Sequence, residues 1–210
     1  MILIGQYDSP FVRRVAIALT LYGMAFEHRP WSVWADADRI AAINPLRRVP
    51  TLVLDDGEPL IESSAILDAL DEMAGDKAML PAGGAARRRG LRICALSTGL
   101  GDKAVSLFYE GVLRETPSRI WVDRCRAQIA DVLTMLETDR AASPSAYWLG
   151  ESIGHADIAA ACALRFTREA HPGLFDAARW PRLAADGERC EALPAFAAIC
   201  QPIVVTMGDD

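Results

Sequence analysis

N-P-L-R-R-V-P-T-L-V-L-D-D-G-E-P-L-I-E-S-S, residues Asn44 to Ser64, carries most of what the sequence says about fold and function. Val49-Pro50 opens an apolar run from Thr51 to Leu54, an Asp56-Gly57 turn follows, and a second run spans Pro59 to Ile61. An Asp-Gly pair between two such runs signals a tight hairpin, because glycine accepts the positive φ the turn requires. A proline entering a strand cannot donate to the ladder, so it belongs at the first position or at a turn, where a cis bond is accommodated. Beyond Glu62-Ser63-Ser64 the apolar residues Ile66, Leu67, Leu70 and Met73 take up helical spacing, with Ser63 or Ser64 the expected N-cap. The free N–H groups and positive dipole end of such a helix start suit a carboxylate ligand.

Working outward, Ile2 to Tyr7 reads as a first strand and Ser9-Pro10 as a helix start, with proline where its missing N–H costs little. Val12, Val15, Ala16 and Leu19 follow the spacing of an amphipathic helix that stops near Gly23. Phe26 to Trp31 is a second strand and Asp36 to Ile43 a short helix, so the order is β-α-β-α-β-β-α over residues 1–76. Gly75 to Gly84, containing Pro81 and Gly83-Gly84, is the linker. From Ala85 no strand pattern appears. Leu91 to Leu113, Ile120 to Leu136, Ile158 to Phe166 and Leu193 to Ile199 are apolar-periodic, which predicts an all-helical second domain over 85–210. Ile158 to Phe166 is apolar nearly all round and reads as a buried central helix.

The chain has 210 residues, 51% hydrophobic and 24% charged, an ordinary globular composition. A net charge of -6 argues against a nucleic-acid binder, which needs a basic face. No apolar stretch approaches the roughly 18–20 residues of a membrane span, and M-I-L-I-G-Q-Y lacks the basic and apolar regions of a signal peptide. The five cysteines, Cys94, Cys125, Cys162, Cys190 and Cys200, have no C-x-x-C spacing and read as small hydrophobes of helical stretches in a reducing cytoplasm. His28, His155 and His171 show no ligand spacing with them, so no metal is expected.

The V-P, hairpin and E-S combination resembles the thioredoxin-like domain of the cytosolic glutathione S-transferases, of bacterial serine type. G-H-A-D at Gly154 to Asp157 resembles the family's N-capping box, with glycine where Ser or Thr is usual, and W-P-R-L-A at Trp180 to Ala184 with L-P-A-F at Leu193 to Phe196 extends the resemblance over essentially the whole chain. It implies a thioredoxin-like domain followed by an all-helical domain. It also implies a cis Val49-Pro50 bond that frees the Val49 backbone to pair with the cysteinyl part of glutathione, and Glu62 and Ser63 on the γ-glutamyl end. Glutathione would be the co-substrate, a small hydrophobic electrophile the second substrate, and a two-fold homodimer the assembly, formed through the third helix and the Leu91 to Leu113 helix.

In serine-type members the position of Ser9 holds the hydroxyl that donates to the glutathione sulfur. A free thiol titrates near about 8.5, so a donor that favours the thiolate raises its reactivity at neutral pH. An N-cap before Pro10 also accounts for this serine. Tyr7 is a competing hydroxyl, read as packed. Arg48, directly before V-P, is placed near the glycyl carboxylate; Arg13 and Arg14 read as solvated, facing away from the apolar stripe. Phe11, Trp34, Phe108 and Tyr109 are the candidate walls of the electrophile pocket. Gly150 to Gly154 also matches G-x-S-x-G, followed by Asp157 and His171, but no core strand precedes it, so the hydrolase reading is rejected. Two other classes compete with transfer: a non-catalytic glutathione-binding protein of the same fold, and a glutathione-dependent reductase, peroxidase or dehalogenase. The first cysteine is Cys94, which counts against a thiol mechanism at the Ser9 position.

Overall fold

Four strands of three residues each form one sheet in the computed structural model, which describes residues 1–205: β1 (Ile2–Ile4), β2 (Glu27–Arg29), β3 (Thr51–Val53) and β4 (Pro59–Ile61). The order is β2-β1-β3-β4, with β1 parallel to β2 and antiparallel to β3, and β3 antiparallel to β4. Helices α1 (Pro10–Tyr22), α2 (Ala37–Ala41) and α3 (Ser63–Ala74) complete βαβαββα, the thioredoxin-like order. Register sets Leu3 opposite Leu52 and Leu52 opposite Leu60. Strands this short cannot stand alone. Burial of Leu3 and Leu52 with Val12, Val15, Ala16 and Leu19 of α1 and Ile66, Leu67 and Leu70 of α3 holds them, each large side chain contributing about 1.5–3 kcal/mol.

The first strand ends at Ile4 rather than Tyr7 because of Gly5. Its φ is +126°, and a Cβ there would lie 2.5 Å from Val12 Cγ2 and 2.8 Å from Val49 Cβ. Only glycine lets the end of β1, α1 and the segment before β3 meet this closely. In the hairpin, Gly57 N–H donates to Leu54 O at 3.0 Å and Leu54 N–H to Glu58 O at 2.9 Å. Gly57 has φ +92°, so three residues, Asp55 to Gly57, turn the chain, the last at a positive φ that suits glycine.

The chain divides into two compact units, Met1–Met79 together with the described residues from Pro194 onward, and Leu80–Leu193. The expected limits, 1–76 and 85–210, differ from this chiefly at the tail. Helix α8 (Pro194–Ala198) and the residues after it belong with the first unit. The reason lies in α1. Arg13 and Arg14 are buried, 2% and 3% exposed, contrary to the expectation that both are solvated. Arg13 Nε donates to Ile199 O at 2.7 Å and Nη2 to Phe196 O at 3.0 Å, with the guanidinium 5.5 Å from the centre of the buried Phe196 ring.

The second unit contains α4 (Gly84–Leu113), α5 (Arg119–Ala141), α6 (His155–Ala170) and α7 (Pro181–Glu191). Its described residues carry no strand, only an isolated bridge between Tyr147 and Gly150. Central α6 is buried on nearly every side from His155 to Thr167, and α4 and α7 pack against it. Asp157 Oδ2 accepts the Gly154 N–H at 2.9 Å, as the capping pattern predicts, and Oδ1 accepts the Trp148 N–H at 3.0 Å. The sequence reading did not separate α7 as a helix. Cys94, Cys125, Cys162 and Cys190 are buried in helices, whereas Cys200 is exposed beyond α8. No helix among the described residues is long and apolar enough to cross a membrane.

Candidate functional site

Ser9 sits at the N-cap of α1 with extended backbone (φ -64°, ψ 122°), half-buried. Its Oγ accepts the Val12 N–H at 3.4 Å. That bond uses the oxygen as an acceptor and leaves the hydroxyl proton to be donated elsewhere, so capping and donation to a ligand are compatible. Tyr7 is packed, as expected: its ring lies flat on His28, centroids 3.8 Å apart and planes 4° apart. Burial pushes the Tyr7 phenol above its ordinary value, so it stays protonated at neutral pH.

Val49-Pro50 is cis. Asn44, which the sequence reading passed over, builds the loop around it. Its buried amide donates to Arg48 O at 2.9 Å and Thr51 Oγ1 at 3.1 Å, and its Oδ1 accepts the Leu46 N–H at 3.0 Å. Asn-Pro after a short helix was the available signal, because asparagine side chains close turns on their own backbone. Among the described residues, none hydrogen-bonds the Val49 N–H or C=O, and Val49 is half-buried. Its amide therefore has both donor and acceptor available.

At the start of α3 the expected serine cap is replaced. Glu62 holds the cap position with φ +65° and makes no side-chain cap bond, and Ser63 is the first helical residue. Ser63 is buried, and its Oγ accepts from Arg14 Nη1 at 3.4 Å. Buried Arg14 of α1 is thereby tied to the first residue of α3. Arg48 Nη1 lies 3.1 Å from Glu62 Oε1, an ion pair more than half exposed that joins the segment before Val49 to the start of α3. Val49, Glu62, Ser63, Arg48 and Ser9 all lie in the first unit.

The four aromatics divide. Phe11, half-buried on α1, and Trp34, 39% exposed before α2, belong to the first unit. Phe108 and Tyr109 pack edge-on in α4, centroids 5.6 Å apart, and Phe108 meets Phe166 at 6.0 Å. Phe108 lines a cleft of about 780 Å³ in the second unit, with Leu107, Val112, Val122, His171 and Leu174 among its walls. The G-x-S-x-G segment has no catalytic geometry. The Asp157 oxygens hold backbone N–H groups, and His171 Nε2 is 2.9 Å from Ala104 O. Among the described residues no cluster of His, Cys, Asp and Glu could hold a metal ion.

Residues 3–78 match the family model described as glutathione S-transferase, N-terminal domain, and residues 119–185 the one for the C-terminal domain. A glutathione S-transferase of Methylobacterium radiotolerans, solved with glutathione sulfonate, superposes with a TM-score of 0.91 at 31% identity, covering 100% of this chain and 98% of that one. The chain belongs to the glutathione S-transferase family. A glutathione transferase family member of Pseudomonas fluorescens, solved with bound glutathione, superposes with a TM-score of 0.83 at 31% identity over 97% of this transferase-family chain and 99% of its own. The maleylacetoacetate isomerase of Pseudomonas aeruginosa is 29% identical over 209 residues, 93% of each chain. Two other curated relatives are matched over only 35% and 50% of their own lengths.

Proposed function

We propose that this member of the family binds glutathione in its first unit and transfers the thiol to a small hydrophobic electrophile. The observation that carries the reading is the set of unsatisfied groups there: the Val49 amide at the cis bond, the Ser9 hydroxyl proton, and the start of α3, which has no side-chain cap bond. A peptide-like ligand pairs with the Val49 N–H and C=O. The γ-glutamyl carboxylate lies at the first turn of α3 with Ser63, the γ-glutamyl amine takes Glu62, and Arg48 neutralises the glycyl carboxylate. Ser9 donates to the sulfur and favours the thiolate over the thiol. In the second unit, the apolar cleft beside Phe108 receives the electrophile.

The protein works in the cytoplasm as a two-fold homodimer. Four buried free thiols suit a reducing compartment, and light scattering tests the assembly. Purified protein is assayed with glutathione and chloro-aromatics, isothiocyanates, epoxides, hydroperoxides and mixed disulfides. Conjugation of at least one electrophile, with a bound thiol titrating below free glutathione, is the expected result. Glutathione binding with no turnover of any of them would leave a non-catalytic binding protein. Turnover of only the last two would mark a peroxidase or reductase.

A second reading, isomerisation, is favoured by the near-full-length match to maleylacetoacetate isomerase. The same thiolate adds to an activated C=C bond, the resulting single bond rotates, and elimination restores both the double bond and free glutathione. Maleylacetoacetate converted without net glutathione consumption would select this reading.

A further inference from the structure

We infer that the C-terminal segment from Phe196 to Val204 is a strap that positions the loop presenting Ser9, and that Gln201 is its positioning residue. This rests on the thiol-activating role proposed above for Ser9. Residues 5–9 connect β1 to α1. At the strand end of this loop Gly5 is held by the sheet: its N–H donates to Arg29 O at 2.9 Å and its carbonyl lies 2.8 Å from His28 Nε2. At the helix end Ser9 N–H donates to Gln6 O at 3.2 Å. Tyr7 and Asp8, between them, are held by the far end of the chain. Tyr7 N–H donates to Gln201 Oε1 at 3.2 Å, and the Asp8 carboxylate accepts the Val204 N–H at 3.1 Å.

Buried Arg13, one turn into the helix that Ser9 caps, already docks the tail through the carbonyls of Phe196 and Ile199. Gln201 and Val204 lie beyond that anchor and are not buried. Their bonds add little to the core. What they fix is the backbone immediately before Ser9, at the place where a hydroxyl must meet a sulfur within hydrogen-bond reach. A displacement of the order of 1 Å at such a contact lowers the rate far more than it lowers stability.

Gln201→Ala removes the acceptor for Tyr7 N–H, and Gln201→Glu keeps an oxygen at that place. Both are made in the full chain. In Gln201→Ala, amide hydrogen exchange at Tyr7 should accelerate about ten-fold or more, because the bond that closes this N–H is gone. The titration midpoint of bound glutathione thiol, followed by thiolate absorbance, should rise, and kcat near pH 6.5 should fall about five-fold or more. KM for glutathione and the denaturation midpoint should be unchanged, since the contacts at Val49, Glu62 and Ser63 are untouched. Gln201→Glu should restore both exchange protection and the thiol midpoint. Unchanged exchange at Tyr7 overturns the strap. Faster exchange with an unchanged thiol midpoint overturns the positioning role. The wild-type protein alone reports on the underlying reading: if it binds glutathione without lowering the thiol midpoint, the activation proposed for Ser9 is what fails, and the exchange arm still decides whether the strap holds the loop.

Discussion

Two helix starts in this molecule solve the same problem in opposite ways. At the start of α6 the cap residue Gly154 is extended (φ -137°), and the carboxylate of Asp157 closes on the Gly154 and Trp148 N–H groups. This start is sealed at its cap N–H by the chain's own Asp157 and sits in the core. At the start of α3 the cap residue Glu62 adopts φ +65° and forms no side-chain cap bond, and buried Arg14 reaches Ser63 from beneath. Any helix leaves its first N–H groups without an intrahelical partner. A start whose own carboxylate turns back on the cap N–H belongs to the fold. One that leaves them open, as α3 does, is the end where we place the γ-glutamyl carboxylate.

The largest expected effect follows from the sealed start. Asp157→Ala strands two buried backbone donors, each costing about 1–3 kcal/mol when left unpaired, so urea unfolding should show a loss of about 2–6 kcal/mol in all. Glutathione affinity of the folded fraction should stay as it was. A small loss, under about 1 kcal/mol and typical of a surface cap, would mean that this start is not sealed in the way described.

The open start predicts the reverse pattern. Ser63→Ala should weaken glutathione binding by about 1–3 kcal/mol, the usual range for a hydrogen bond to a charged group, with unfolding nearly unchanged. Calorimetry that finds the affinity intact would remove Ser63 from the site and leave it a core residue beside Arg14.

These two starts also show what was legible in the sequence. The G-H-A-D signal predicted the Asp157 contact to Gly154 because a capping box is local, spanning four residues. The V-P hairpin and helical spacing likewise gave the βαβαββα order and the helical remainder. Burial of Arg13 and Arg14 was not legible, since their partners, Phe196, Ile199 and Ser63, lie 183, 186 and 49 residues away. A charged pair on a helix reads as solvated until the carbonyls that receive it are known. For the same reason the tail was assigned to the helical domain. The serine cap at Ser63 failed because propensity favours Ser over Glu there, whereas the structure turns the Ser63 oxygen toward Arg14 instead of its own helix.

Ser9 lies between the two cases, at a start both capped and open, because its oxygen accepts from Val12 while its proton remains available. Ser9→Ala should raise the pKa of bound glutathione while leaving its affinity nearly unchanged, and slow conjugation near neutral pH about ten-fold for each 1.4 kcal/mol lost. A raised thiol pKa means less thiolate at neutral pH and recovery as pH rises. Activity should therefore return in part above the wild-type optimum. Coincident thiolate titrations for wild type and variant would assign activation to Tyr7 or to backbone donors.

The smallest effect gives the sharpest test of the comparison. Glu62 holds a left-handed φ that a side-chain-bearing residue adopts only when its surroundings impose it, at a cost of the order of 1 kcal/mol. Its ion pair with Arg48 is more than half exposed and adds little in return. If the strain is kept for ligand binding, Glu62→Gly should relieve it and leave stability unchanged or up to about 1 kcal/mol higher, the greater freedom of glycine in the unfolded chain offsetting part of the gain. The same substitution should weaken glutathione binding, because the carboxylate facing the γ-glutamyl amine is gone. Gly154→Ser at the sealed start should behave differently, moving stability by only a few tenths of a kcal/mol and leaving binding alone. Paired urea titrations and calorimetry on the two variants decide the matter. A Glu62→Gly protein that is clearly destabilised, with affinity unaltered, would make Glu62 a structural cap, and the distinction between an open and a sealed helix start would not survive.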